Sequence, residues 1–201
     1  MISHQLVIAF IAFAAAALFT PGPNNIMLMA SGLNYGFRRT IPHVAGVTIG
    51  FSFLVVVIGL GLGALFAAYP VLHTILKYAG AAYLVYLAIQ IALSGPADTS
   101  AKGEGRPMTF LGAALFQWVN VKGWVIAVGA VTAYAAIAAY PLNIATLSVL
   151  LFSVGVCSSV TWVVLGTSLQ ALVKSPRAVR IFNVVMAVLL LASLYPVLKE
   201  P

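Results

Sequence analysis

Charge is scarce in this sequence. Only 6% of its 201 residues are charged, and the acidic ones number three: Asp98, Glu104 and Glu200. All three lie in a polar stretch near the midpoint or at the C-terminus, so the long apolar runs hold no carboxylate. This excludes an Asp/Glu proton relay within those runs and disfavours a dedicated cation site, which needs anionic ligands. The single cysteine, Cys157, permits neither an intramolecular disulfide nor a CxxC redox pair. Without a Cys/His cluster there is no support for a metal site, and no cofactor is expected. A soluble domain of this length could not cover its surface with so few charges.

What remains is apolar. Hydrophobic residues make up 63% of the chain, and its mean hydropathy is +1.10. Unbroken apolar runs of about 20 residues recur, which predicts an all-α integral membrane protein in contact with the lipid bilayer. Residues 1–201 read as a single transmembrane domain. The net charge of +7 does not point to nucleic acid, because the basic residues sit singly between apolar runs and read as topology signals. The first residues lack the basic region of a signal peptide, so the first helix is expected to be retained.

The rest of the chain is organised around Thr20-Pro21-Gly22-Pro23-Asn24-Asn25. This stretch interrupts an apolar run over residues 5–35. At 1.5 Å per residue such a run would reach about 45 Å, against a bilayer core of ~30 Å. Pro21 and Pro23 lack amide protons and clash with the preceding turn, so the helix must break. In lipid a break survives only against protein or a water-filled cavity, and a broken helix at membrane depth is a pointer to a transporter's binding site. The bland alternative is a proline kink packed on its neighbours, with the asparagines as caps.

Further helices are expected over 42–68, 71–93, 108–139, 141–172 and 178–198. Pro42 suits the first turn of the second, after a short loop with Arg38 and Arg39, and Pro70 starts the third. Gly46 and Gly50 form a GxxxG spacing that permits close helix contact. The fourth segment is interrupted by Gln117, Asn120 and Lys122. A linker over 94–108 separates a first half, 3–93, from a second, 109–201. Each half opens with an overlong, polar-interrupted helix, as two inverted three-helix repeats would. The basic residues Arg38, Arg39, Lys102, Arg106, Lys174, Arg177 and Arg180 all fall in the first, third and fifth loops or beside them. By the positive-inside rule those loops are cytoplasmic and both termini periplasmic.

Lys122 is the informative charge. Roughly 14 Å into its helix, a cation costs at least about 2.5 kcal/mol unless partnered or wet. Its alternative is to snorkel to the interface; as the partner of an anionic substrate group, it could be replaced by Met with transport lost and the fold left as stable or more so. Lys77 is expected to snorkel near the outer end of the third helix, and His43 to lie at the cytoplasmic interface. His43, Lys77, Ser158 and Ser159 are the candidates for coupling transport to an ion. Trp118, Trp124 and Trp162 read as packing or interfacial aromatics.

These blocks resemble the LysE/RhtB family of amino-acid exporters over nearly the whole length. The likeness rests on residues 20–25, on Gly36-Phe37-Arg38-Arg39 with Gly46, on Lys77-Tyr78-Ala79-Gly80-Ala81-Ala82-Tyr83-Leu84, and on residues 117–122. It implies six helices, a location in the bacterial inner membrane and efflux of small amino acids or their derivatives. Asn120-Val121-Lys122 preceded by Gln117 resembles the branch that exports cysteine and O-acetylserine, whereas many relatives read Asn-Pro-Lys. Many relatives also carry an acidic residue near the position of Ser158 and Ser159, which is missing here.

The resulting expectation is not an enzyme but a secondary exporter of small neutral amino acids, of the cysteine and O-acetylserine or homoserine and threonine kind. Thr20, Pro21, Gly22, Asn24, Asn25, Gln117, Asn120 and Lys122 would form its substrate site. The rivals are a passive channel or packing subunit, and a membrane thiol-redox protein, which would need more than one cysteine. No nucleic-acid partner is expected, and the oligomeric state is left open, a homo-oligomer included.

Overall fold

The computed structural model describes residues 2–62, 68–94, 106–173 and 175–199. Among these, every regular element is helical. Helix α1 (His4–Phe19) is followed by Thr20, Pro21 and Gly22 and then by α2 (Pro23–Val57), which a π-turn over Ile58–Leu62 extends. After it come α3 (Pro70–Leu93), α4 (Phe110–Phe116), α5 (Val121–Ala133), α6 (Leu142–Leu172), α7 (Pro176–Ala192) and the short α8 (Leu194–Lys199). Prolines open three of them: Pro23, Pro70 and Pro176 each stand in a first turn, where a missing amide costs little. Thr109 and Ser175 cap α4 and α7, each accepting from the amide three residues on at 3.1 Å.

Helix α2 is a hairpin. In a straight helix Ser31 and His43 would stand about 18 Å apart, yet Ser31 Oγ lies 3.1 Å from His43 Nδ1. The chain reverses at Gly36, whose φ of 75° is in the left-handed region that side chains resist. Its arms are residues 23–35 and 37–57. The loop expected before Pro42 is therefore a one-residue turn. Arg38 and Arg39 sit exposed in the first turn of the second arm, and Pro42 lies inside it. The amide that Pro42 lacks would have bonded the carbonyl of Arg38, at the exposed turn where water can replace it.

Both arms pack on α6, in opposite directions. In the first arm Gly32 abuts the backbone of Val163, and Gly166 of α6 abuts the carbonyl of Met29; neither has room for a Cβ. In the second arm, Ser148 donates to the carbonyl of Ser52 at 3.1 Å. Gly46 and Gly50 bring this arm against Phe110 and Ala114 of α4, the close contact that the GxxxG spacing anticipates. Three apolar clusters result: around Phe10, Phe51, Trp124 and Leu151; around Leu84, Phe116, Met186 and Leu190; and around Leu28, Val47, Ala113 and Val163. The outer faces carry large apolar side chains such as Val85, Leu115, Val149 and Val188, as lipid contact requires.

The turns gather at two ends. At one, Gly36 lies beside Gln170. Near it Asn34 and Asn183 exchange two hydrogen bonds of 2.7 and 2.9 Å, and Asn183 also donates to the carbonyl of Ser94 at 2.7 Å. This buried clasp joins the first arm of α2 to the end of α3 and the middle of α7. At the other end the amide of Ser3 donates to Ile137 at 2.9 Å, and Gly59 abuts Ile144. Three stretches are long and apolar enough to cross a membrane, or four if α4 and α5, bent by 65°, count as one. The first of these, Pro23–Gly61, contains the Gly36 reversal. Most of the 94–108 linker, including residues 95–105, lies outside the described residues, as do Lys174 and Glu200.

The clasp makes a stability prediction. Asn34→Leu should cost about 1–3 kcal/mol, because Asn183 keeps a buried amide with fewer partners. The double variant Asn34→Leu/Asn183→Leu should lose less than the sum of the two single losses. Denaturant unfolding in detergent measures this, and strictly additive losses would show that the two amides do not act as a pair.

Candidate functional site

Of the carbonyls that the break between α1 and α2 frees, those of Leu18, Thr20 and Pro21 have found other donors. A Pro at 21 and at 23 removes two amides, while Gly22 is fully extended with φ −175° and ψ −179°. Asn25 Nδ2 reaches back to the carbonyls of Leu18 at 2.8 Å and Thr20 at 2.9 Å. Ser158 Oγ of α6 donates to Leu18 at 2.8 Å. Lys122 Nζ of α5 donates to Thr20 at 2.7 Å and to Pro21 at 3.4 Å. The unwound segment is shorter than the sequence suggests. Asn24 and Asn25 already form the first turn of α2, with Ile26 donating to Gly22 at 3.0 Å, because proline is tolerated at a helix start.

The second break, over residues 117–120, faces the first. Gln117 is completely buried, donates to Ala113 at 2.8 Å and exchanges two bonds with the side chain of Asn24, of 2.9 and 3.2 Å. The Trp124 indole donates to the Trp118 carbonyl at 2.9 Å and closes the bend from the other side. Asn120 occupies the cap position of α5 but makes no capping bond, and its Oδ1 is buried without a partner. A buried acceptor left empty costs about 1–3 kcal/mol.

Between the breaks lies a cavity of about 50 Å³, several times the ~10–15 Å³ that one water needs. Its polar wall is Asn24, Asn25, Thr48, Asn120, Lys122, Ser158 and Ser159, with Gly22 beside Lys122. Its apolar wall includes Leu18, Val47, Phe51, Ile126 and Leu151. Of the residues singled out in the sequence, Thr20 and Pro21 lie behind the wall and are exposed, and Gln117 braces it from within the core. His43 is buried within the protein, 1% exposed, between the two arms of α2. Lys77 is buried, borders the same small pocket as Leu76, Trp118 and Trp124, and lies 5.9 Å from the Tyr78 ring. Both side chains are drawn inward because helix packing, not sequence position along an apolar run, sets what a polar group meets.

Thr48, Val47 and Phe51 escaped the sequence reading. They recur at i, i+1 and i+4 on the second arm of α2, beside the very glycines that the spacing did flag. A helical wheel through Gly46 and Gly50 separates the face that packs on α4 from the neighbouring face that lines the cavity.

Comparison with known proteins is consistent along the chain. The LysE type translocator family matches residues 15–193. A cysteine/O-acetylserine efflux protein of Escherichia coli O139:H28 is 32% identical over 188 residues, covering 92% of this chain and 94% of that protein. Those of E. coli K12 and Shigella sonnei are 32% identical over 187 residues, covering 92% of this chain and 93% of theirs. No solved structure matches the chain.

The geometry ranks two substitutions at the break. Gly22 needs no left-handed backbone; it leaves space, since a Cβ there would stand 2.9 Å from Lys122 Cδ and Nζ. Gly22→Ala therefore displaces only the tip of a flexible lysine and should cost less than ~1 kcal/mol. Asn25→Ala removes donors from two carbonyls and should cost about 1–3 kcal/mol. Unfolding of both variants in detergent checks the order; a larger loss for Gly22→Ala would contradict it.

Proposed function

The chain belongs to the LysE family of translocators, and from that premise we propose that it exports small neutral amino acids or their derivatives across the bacterial inner membrane. Cysteine and O-acetylserine are the favoured cargo, with homoserine and threonine next, and the protein works as a secondary carrier. The observation that carries this reading is the cavity's polarity. Its lining brings together Lys122, the helix start at Asn24 and Asn25, and Asn120, whose Oδ1 is buried without a partner.

A zwitterion matches that layout. The cargo carboxylate meets Lys122 and the amides of Asn24 and Asn25, the first in α2 able to donate and free of helical partners. Its ammonium donates to Asn120 Oδ1 and to Asn25 Oδ1, whose own amide hydrogens are held by Leu18 and Thr20. A short side chain rests against Val47, Phe51, Ile126 and Leu151. A basic cargo brings a second positive charge into a cavity whose lining contains no carboxylate. Ser158 supports the break through Leu18, and Ser159 borders the cargo.

In the membrane this reading makes six spans. α1 with the first arm of α2 forms a broken first span, the second arm the second, and α3 the third. α4 with α5 forms a broken fourth, α6 the fifth and α7 the sixth. Two inverted halves meet at the breaks, which the mutual bonds between Asn24 and Gln117 and from Lys122 to Thr20 support. The end with the Gly36 turn, beside Arg38 and Arg39, is cytoplasmic, and the termini are periplasmic.

Reconstituted protein tests the cargo. Proteoliposomes loaded with one unlabelled amino acid should take up its labelled form against its gradient, which a passive channel cannot do. Cysteine or O-acetylserine should exchange at least about tenfold faster than lysine or arginine, a difference of ~1.4 kcal/mol. Equal exchange of lysine would overturn the assignment of cargo, and the absence of counterflow for every amino acid would overturn the carrier.

A further inference from the structure

The carrier reading leaves unexplained what drives cargo uphill, and one buried group stands unused. We propose that His43 takes up the proton that is exchanged for cargo. The inference rests on the carrier reading but not on which amino acid is carried.

The position is built for a change of charge. His43 lies on the second arm of α2, four and five residues before the cavity residues Val47 and Thr48. Its Nδ1 meets Ser31 Oγ of the first arm at 3.1 Å, and its Nε2 is buried with no partner. Neutral imidazole accepts at one nitrogen, so the serine hydroxyl can donate to Nδ1. Imidazolium donates from both nitrogens, so the hydroxyl must rotate and accept. Protonation therefore remakes a side-chain bond that joins the two arms. The first arm begins at the break, with Asn24 and Asn25 in the cavity wall. A proton on His43 and cargo in the cavity thus act on the same arm.

No other group is placed as well. Helix α4 carries no titratable side chain, and α6 carries only Cys157, which is exposed. On the other elements packed against α2, α7 carries Arg177 and Arg180, α5 carries Lys122, and α3 carries His73, Lys77, Tyr78, Tyr83 and Tyr86. On α2 itself stand Tyr35, Arg38 and Arg39 at the turn. None of these is a carboxylate, and apart from His73, in the first turn of α3 and outside the cavity lining, none has an unperturbed charge change between about pH 5 and 8, as histidine has. With no anion among them to hold an imidazolium, the proton is carried only transiently. In the proposed sequence the imidazole gains it from the periplasmic side after cargo leaves, and loses it to the cytoplasm before cargo binds again.

Proteoliposomes separate coupling from structure. With cargo at equal concentration inside and out, an imposed outward proton gradient should drive cargo uptake by the unmodified protein. His43→Asn keeps a polar group near Nδ1 but cannot ionise. It should retain counterflow within about twofold while gradient-driven uptake falls at least tenfold. Ser31→Ala keeps the imidazole and loses its partner, so it should stay coupled with its pH profile moved by about half a unit or more. Gradient-driven uptake that survives in His43→Asn would overturn the proposal. So would an unmodified protein that shows counterflow but ignores the gradient, a result that leaves the carrier intact. Should His43→Asn fail to insert, the Ser31→Ala profile decides, and an unmoved profile counts against the proposal. No counterflow at all in the unmodified protein would sink the carrier reading itself.

Discussion

Two broken helices, the first interrupted by prolines, leave backbone carbonyls without their helical partners. Everything else in the fold answers to that constraint. Lys122 holds the carbonyls of Thr20 and Pro21, Asn25 holds those of Leu18 and Thr20, and Ser158 adds a second bond to Leu18. The donors come from α2, α5 and α6, so satisfying one break draws three elements together. The mutual bonds of Asn24 and Gln117 then tie the first break to the second. A cavity is the consequence, because two bent helices that meet at their bends cannot fill the space between them as straight ones would.

The same groups that hold the breaks line the cavity. Lys122 has three donors; the carbonyls of Thr20 and Pro21 engage its ammonium while its stem borders the open space beside Gly22. An anion entering the cavity would compete with those carbonyls for the ammonium. Binding would then loosen the first break, a direct route from occupancy to a change in helix geometry. This also revises the expectation that Lys122 can be removed at no cost to the fold. Losing it removes a half-buried charge but takes one donor from Thr20 and, among the described residues, the only side-chain donor from Pro21.

The first break was legible because proline chemistry is local: a missing amide at 21 and 23 acts on residues one turn away. Membrane class, the start of α3 at Pro70, and the span of α6 were legible for similar reasons of composition and period. Partners were not. Asn34 and Asn183 are 149 positions apart, and nothing in either neighbourhood indicates the other. His43 read as interfacial because two arginines precede it, but a one-residue turn at Gly36 folds that end back and buries it. Gln117 read as a lining residue, yet its partner Asn24 draws it into the core. Polarity along a sequence marks residues that need partners; the packing of distant helices decides which are shared with protein and which face open space.

The central claim is that Lys122 receives the cargo carboxylate in the space between the two breaks. Efflux from cells expressing Lys122→Met, at membrane levels matched to the unmodified protein, tests it most directly. The account predicts that the variant inserts but loses at least about 100-fold in efflux, some 2.7 kcal/mol of binding or transition-state stabilisation. Efflux at the unmodified rate would show that the ammonium serves the backbone alone, and the carboxylate site would have to be sought elsewhere.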